Sequence, residues 1–270
     1  MRLTRLFACV IALLFAIPAL SQTSTTQTPS AKPKSSTTAA ATPKPAASAY
    51  DRALLKPSLL KDTAPDTFQV KFDTTRGEFT VTVTRAWAPL GADRFYNLVK
   101  HHYFDGARFF RVIPNFMAQF GISAYPPVNA AWDRATIKDD RVTQKNTRGM
   151  LTFAKTSLPN SRTTQLFINF KDNTFLDSQG FAPFGVVDGK GMNVVEMMYD
   201  QYGDTANNEE EMGKGGEKAI AAKWPKLDAI KSATIVGGTS STPAAKPAAK
   251  PAPKPAAKPA AAPPKSSGSL

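Results

Sequence analysis

Three polar side chains stand in otherwise apolar runs of the 270-residue sequence, and they set the chemistry that this chain could perform. Arg111 lies in FFRVIPNFMAQFG (Phe109 to Gly121), Gln119 lies eight residues on in the same stretch, and Gln165 opens the apolar part of TTQLFINF (Thr163 to Phe170). Side chains alternate between the two faces of a strand. Arg111 therefore shares a face with Ile113, Met117 with Gln119, and Gln165 with Phe167, which puts a guanidinium and two amides among aliphatic and aromatic neighbours. Such a set donates and accepts hydrogen bonds in an apolar groove but offers neither nucleophile nor base. A lone arginine in an apolar run also fits a stem laid along a sheet edge with its charge in water; the repetition of the pattern at Gln165 favours the groove.

The rest of the inventory narrows the choice. The histidines are the neighbours His101 and His102, at the end of an expected helix, where solvation or capping suits them better than a Ser-His-Asp site. Cys9 is the one cysteine and lies in an N-terminal apolar run, so zinc sites and cysteine nucleophiles are all but excluded. No Gly-rich phosphate loop precedes a helix. The adjacent Asp139 and Asp140 are expected to face water from a loop, and Glu209, Glu210 and Glu211 to be a solvated charge run instead of a calcium site.

The elements that must position these residues follow from periodicity. Phe68, Val70 and Phe72, then Phe79, Val81 and Val83 after DTTRGE, predict a hairpin with one buried face. A helix is expected over Pro89 to His101, with proline near its start. Strands are expected at Phe109 to Ile113, Phe116 to Phe120, Met150 to Ala154, Gln165 to Phe170, Pro183 to Asp188 and Ala233 to Val236. A second helix is expected over Gly191 to Asp200. The span from Ile122 to Arg148 reads as a long loop, Glu209 to Gly216 as an acidic Gly-rich loop, and Glu217 to Lys223 as a short helix. Eight short strands without βαβ alternation indicate a mainly β sandwich or barrel.

Composition divides the chain. MRLTRLFACVIALLFAIPALSQ, with Arg2 and Arg5, an apolar run from Leu6 to Ile17 and the small-residue exit Ala19-Leu20-Ser21, reads as a secretory signal over residues 1–21. Export to a periplasm or the exterior is thus expected, and signal removal would take Cys9 with it. Residues 22–49 and 237–270 are rich in Pro, Ala, Lys, Ser and Thr and too poor in large apolar side chains to fold, which leaves residues 50–236 as the domain. The net charge of +13 belongs mostly to the flanks: 10 of the 34 Lys and Arg lie outside the domain, whereas all 21 Asp and Glu lie between Asp51 and Asp228. The basic tail suits acidic envelope polymers or simply a soluble spacer, and no specific nucleic-acid partner is expected.

Four motifs in order, FFRVIPNFMAQFG, GMLTFAK, TTQLFINF and FLDSQGFAPFGVV, resemble the cyclophilin-type peptidyl-prolyl cis-trans isomerases over roughly Phe68 to Met198. The resemblance implies a closed eight-stranded antiparallel β-barrel with a helix capping each end. It also implies rotation about Xaa-Pro bonds without cofactor or metal, in a monomer acting on unfolded or exported proline-containing polypeptides. By motif position it implies Arg111 as the catalytic group, assisted by Gln119. Phe116, Met117, Phe167 and Leu176 would form the proline pocket, Gln165 would orient the peptide, and the backbone of Ala154 and Lys155 would grip the residue before proline. Phe175 and Phe181 stand at the pocket where many members have Trp and His, Lys155 replaces a common Asn, and Leu166 a common Phe. Members that bind cyclosporin strongly carry the indole at the position of Phe175. A groove of this kind could also serve a binding-only or holdase module, but such a module has no need of the guanidinium.

Overall fold

The computed structural model describes residues 49–206 and 208–239; the expected signal segment, nearly all of the first linker and the tail from residue 240 lie outside them. β1 (Thr67–Thr74) and β2 (Gly77–Thr84) form the predicted hairpin, and their alternate residues Phe68, Val70, Phe72, Phe79, Val81 and Val83 are buried. Phe72 stacks on Phe79 with centroids 4.9 Å apart, and Phe95 of α1 (Pro89–Lys100) packs on Phe72 and Phe184. The core of the domain is thus an aromatic block between the sheet and one helix. Each fully buried aromatic contributes about 1.5–3 kcal/mol through removal from water.

β3 (Arg111–Ile113) and β4 (Met117–Phe120) form a tight hairpin through Pro114 and Asn115, the latter in the left-handed region at φ 58°. They join β5 (Met150–Phe153), β6 (Leu166–Asn169), β7 (Pro183–Val187) and β8 (Ile230–Thr239) in one antiparallel sheet of order β3-β4-β6-β5-β7-β2-β1-β8. The sheet is an open half-barrel and not the closed barrel expected. Its edge strands β3 and β8 share no ladder. The segment before β3 touches the start of β8 through the single bridge Arg108 to Ala229 and three backbone bonds, from Gly106 N to Ile230 O, Ile230 N to Ala107 O and Phe109 N to Asp228 O. Phe110 N–H, pointing to the other side of the same extended segment, donates to Gln119 O in β4, so the segment touches the start of β8 on one side and β4 on the other, whereas β3 itself pairs with β4 alone among the described strands.

Four further departures from expectation are local. The loop from Ile122 to Arg148 contains α2 (Pro126–Trp132), started by proline at its first position and anchored by Val128 and by Trp132, whose indole donates to Leu54 O at 2.8 Å. The stretch expected as an acidic loop is the first half of α4 (Glu209–Lys223). Its glycines suggested a loop, but Asn208 caps the helix by accepting from Glu211 N, three glutamates favour its positive end, and Met212 is fully buried; only Gly216, at φ 59°, interrupts it. α3 (Gly191–Val195) is shorter than expected. β8 runs past Val236 to Thr239, opposite Thr67, so the domain extends three residues into the segment assigned to the tail.

The two aspartates expected to face water also differ. Asp140 is buried: it accepts from Leu90 N at 3.0 Å and Gly91 N at 2.8 Å, capping α1 where Ala88 has no side chain to do so, and it pairs with Arg162, itself 2% exposed, at 3.0 Å. Asp139 lies 3.6 Å from the same guanidinium. This buried pair ties the stretch after α2 to the helix and to the approach to β6. A second, smaller core of Phe110, Ile122, Ala206, Met212, Ile220, Trp224 and Leu227 fastens α4 to the β3–β4 side of the sheet.

Candidate active site

Register places the polar side chains together. Arg111 lies opposite Gln119 across β3 and β4, and Gln119 opposite Phe167 across β4 and β6, so the three share a face on adjacent strands. Ile113 pairs with Met117 two residues along, on the same face. Gln165 stands just before β6, where its carbonyl accepts from Ala154 N at 2.9 Å. Gly121, which ends β4 at φ 115°, lets that edge close down on Thr164 and Gln165; a Cβ there would meet Thr164 O at 2.4 Å.

Met117, Phe167 and Leu176 form a small apolar cluster of their own, each at most 5% exposed, with Ile113, Phe116, Ala154 and Phe181 against it. Leu176 arrives on a 3-10 helix, Thr174–Gln179, held by Asn173, whose amide donates to Phe116 O at 2.9 Å and Asn169 Oδ1 at 2.8 Å. Phe181 meets the Phe167 ring edge-on at 5.8 Å, and Lys155 Nζ lies 5.1 Å from the centre of the Phe181 ring. The cluster of Met117, Phe167 and Leu176, with Phe116, Ala154, Lys155 and Phe181, walls a cavity of about 340 Å³ with Arg111 and Gln119 on its rim. It is large enough for a pyrrolidine ring and its flanking peptide groups.

A larger cavity of about 1140 Å³ shares Gln119, Ala154, Lys155 and Glu209 with the first, so the two meet at that edge. Gln165 lines the larger cavity and not the smaller. Phe175 lines neither. It is 54% exposed and stacks on Phe116 at 6.2 Å. Tyr103 lies in the wall of the larger cavity, donating to Gly121 O at 3.1 Å, and burial pushes its phenol up to about 12.

The polar edge is a relay. Arg111 Nη1 donates to Gln119 Oε1 at 3.3 Å, Gln119 Nε2 to Gln165 Oε1 at 2.8 Å, and Gln165 Nε2 to Glu209 Oε2 at 2.6 Å. Arg111 Nε donates to Asp204. The guanidinium carbon is 5.8 Å from the centre of the Phe116 ring. Among the described residues Nη2 makes no hydrogen bond. Arg111 therefore offers a free pair of donors beside an apolar pocket, an arrangement that can recognise an electron pair appearing within that pocket.

The profile of the family described as "Cyclophilin type peptidyl-prolyl cis-trans isomerase/CLD" matches residues 68–214, more than half of the chain. The chain belongs to the cyclophilin-type peptidyl-prolyl cis-trans isomerases. This cyclophilin is 34% identical over 167 residues to a peptidyl-prolyl cis-trans isomerase of Acinetobacter baylyi, covering 60% of this chain and 88% of that protein. To peptidyl-prolyl cis-trans isomerase B of Escherichia coli it is 34% identical over 136 residues, covering 47% and 81%. Among solved structures, a Cryptosporidium parvum cyclophilin aligns at 20% identity with a TM-score of 0.47, over 64% of this chain and 99% of that one.

The cyclophilin is thus an isomerase. The expected pocket residues Phe116, Met117, Phe167, Leu176 and Phe181, together with Arg111, Gln119, Ala154 and Lys155, meet at one cavity. Sequence reasoning missed Asp204, 93 residues from Arg111, and placed Glu209 in a solvated run. Nothing in the sequence pairs them with the strands. It also passed over Asn173 and its buried partners Asn146 and Asn169, whose only signal is three asparagines near apolar strands.

Proposed function

We propose that this isomerase acts on Xaa-Pro bonds of exported polypeptides, with Arg111 as the group that stabilises the twisted bond. The peptide bond resists rotation by roughly 18–20 kcal/mol because rotation breaks amide resonance. As the bond twists, the prolyl nitrogen regains its lone pair and becomes an acceptor. A donor that meets it only at the top of the barrier raises turnover without tightening ground-state binding. The observation that carries the reading is the guanidinium of Arg111 on the rim of the Met117, Phe167 and Leu176 pocket, with Nη2 uncommitted.

In this reading Phe116, Met117, Phe167 and Leu176 hold the proline ring, and Gln119 orients Arg111. Gln165 and the backbone of Ala154 and Lys155 hold the preceding residue, with Phe175 and Phe181 on the margin. The two arginines, apolar run and small-residue exit of residues 1–21 support export, and the Lys-Pro tail supports contact with acidic envelope polymers. The test is exchange spectroscopy on a short Ala-Pro peptide with the full chain and its Arg111→Ala variant, joined to fractionation of cells expressing it. Fast exchange lost in the variant, and a shortened chain outside the cytoplasm, are the expected results. An active variant overturns the role of Arg111, and an unprocessed cytoplasmic chain overturns export.

A further inference from the structure

The stretch after α3 brings two carboxylates to the edge of the proline pocket. Asp204 accepts from Arg111 Nε, and Glu209 accepts from Gln165. Both stand on an anchored piece of chain: Ala206 and Met212, on either side of Glu209, are fully buried in the small core that includes Phe110, the neighbour of Arg111. Arg108, three residues before Arg111, pairs with Glu217 of α4 and donates to Leu227 O at 2.7 Å. The same side of the sheet that carries the guanidinium thus carries the element that supplies its acids.

The three glutamates at the start of α4 are not equivalent. Glu210 pairs with Lys214 and Glu211 with Lys223, whereas the partner of Glu209 among the described residues is the Gln165 amide. A carboxylate only accepts. Gln165 must therefore present its NH2 to Glu209, which leaves its Oε1 for the NH2 of Gln119, which leaves the Oε1 of Gln119 for Arg111. The acid at one end sets the direction of two amides. Reversal of either would aim an amide NH2 at another donor.

We propose that Asp204 and Glu209 are positioning residues of the isomerase, Asp204 fixing the guanidinium at Nε and Glu209 fixing it at Nη1 through Gln165 and Gln119, so that Nη2 remains for the prolyl nitrogen. The proposal rests on the reading of Arg111 as the donor. A hydrogen bond to a single lone pair weakens steeply off its axis, and a guanidinium held at two of its three nitrogens has little orientation left to lose at the transition state.

The test compares the full chain with Asp204→Asn, Asp204→Glu, Glu209→Gln and Arg111→Ala by exchange spectroscopy over a range of Ala-Pro peptide concentrations, with the Arg111 Nε–Hε NMR signal as a second readout. Asp204 and Glu209 are exposed, so the variants fold. Asp204→Asn is expected to lower kcat threefold to tenfold with KM within twofold and to shift the Hε signal. Asp204→Glu, which keeps the charge, is expected to recover part of kcat. Glu209→Gln is expected to lower kcat similarly, because a neutral amide can donate to Gln165 and turn the relay around. An unchanged or raised kcat in both neutral variants overturns the proposal, as does an effect confined to KM or an Hε signal that does not move in Asp204→Asn. Arg111→Ala separates the two levels: if it retains activity the reading of Arg111 fails, and if it is inactive while the carboxylate variants are normal only the positioning role fails.

Discussion

Gln119 lies directly across the β3–β4 ladder from Arg111, and its Oε1 accepts from the guanidinium at 3.3 Å. The two side chains can meet because the strands are antiparallel and the pair shares one face, whatever else the groove contains. Arg111→Ala should lower kcat/KM by one to three orders of magnitude, or roughly 1.4–4 kcal/mol of transition-state stabilisation. Its ion pair with the exposed Asp204 adds at most about 1 kcal/mol to stability, so the variant should melt close to the parent. Arg111→Lys should recover only part of the rate, because an ammonium cannot span Gln119, Asp204 and substrate with one planar fork. Peptide exchange by NMR beside a thermal melt checks both halves, and an unfolded Arg111→Ala chain would mark the residue as structural.

Phe175 sets a second expectation. Its ring is exposed outside the cavity wall, stacked on Phe116, and carries no donor, whereas an indole at the same place would present an N–H. Cyclosporin should inhibit the natural chain weakly, and Phe175→Trp should tighten inhibition by about tenfold, the worth of roughly 1.4 kcal/mol. A titration of isomerase activity reads this directly; tight inhibition of the natural chain would show that the missing donor is immaterial.

What the sequence disclosed and what it concealed divide along the range of the interactions. The β3–β4 hairpin, the faces of Arg111, Gln119 and Phe167, and the pocket residues follow from period-2 alternation, which acts within a few residues. The half-barrel's open seam depends on how far the segment before β3 runs beside the start of β8, a contact between Arg108 and Ala229, which lie far apart in the chain. Glycines at 213, 215 and 216 argued for a loop, and burial of Met212 and Ile220 against Phe110 overrode them. Asp140 reads as solvated beside Asp139 until Arg162, 22 residues later, and the N-terminus of α1 converge on it.

That convergence predicts a large stability effect away from the groove. Removing one member of a buried pair leaves the other charge uncompensated and costs about 3–5 kcal/mol. Arg162→Ala should lose that much in urea unfolding, and Asp140→Ala a similar amount because it also frees Leu90 and Gly91 N–H. The double variant should fall short of the sum by more than about 1 kcal/mol. Additive losses would mean that the two residues act separately.

Tyr103 links the core to alkaline pH. Its hydroxyl is buried within hydrogen-bonding distance of Gly121 O and Thr164 Oγ1, at 3.1 and 3.0 Å, and burial raises its pKa to about 12 while Thr164 and the nearby Arg94 cation pull the other way. The unfolded phenol ionises near its ordinary value of about 10. The folded chain therefore holds the proton more tightly. The contribution is complete below pH ~10 and is lost as pH climbs through 12, because the unfolded state gains by ionising first; it amounts to on the order of 2 kcal/mol. Tyr103→Phe should cost about 1 kcal/mol at pH 8, where only the hydrogen bonds are lost. Between pH 9 and 12 it should lose less stability than the parent by on the order of 2 kcal/mol, so the two stability curves converge and then cross. Urea midpoints measured at one-unit steps decide the matter: parallel losses in the two proteins would place the alkaline transition on other groups.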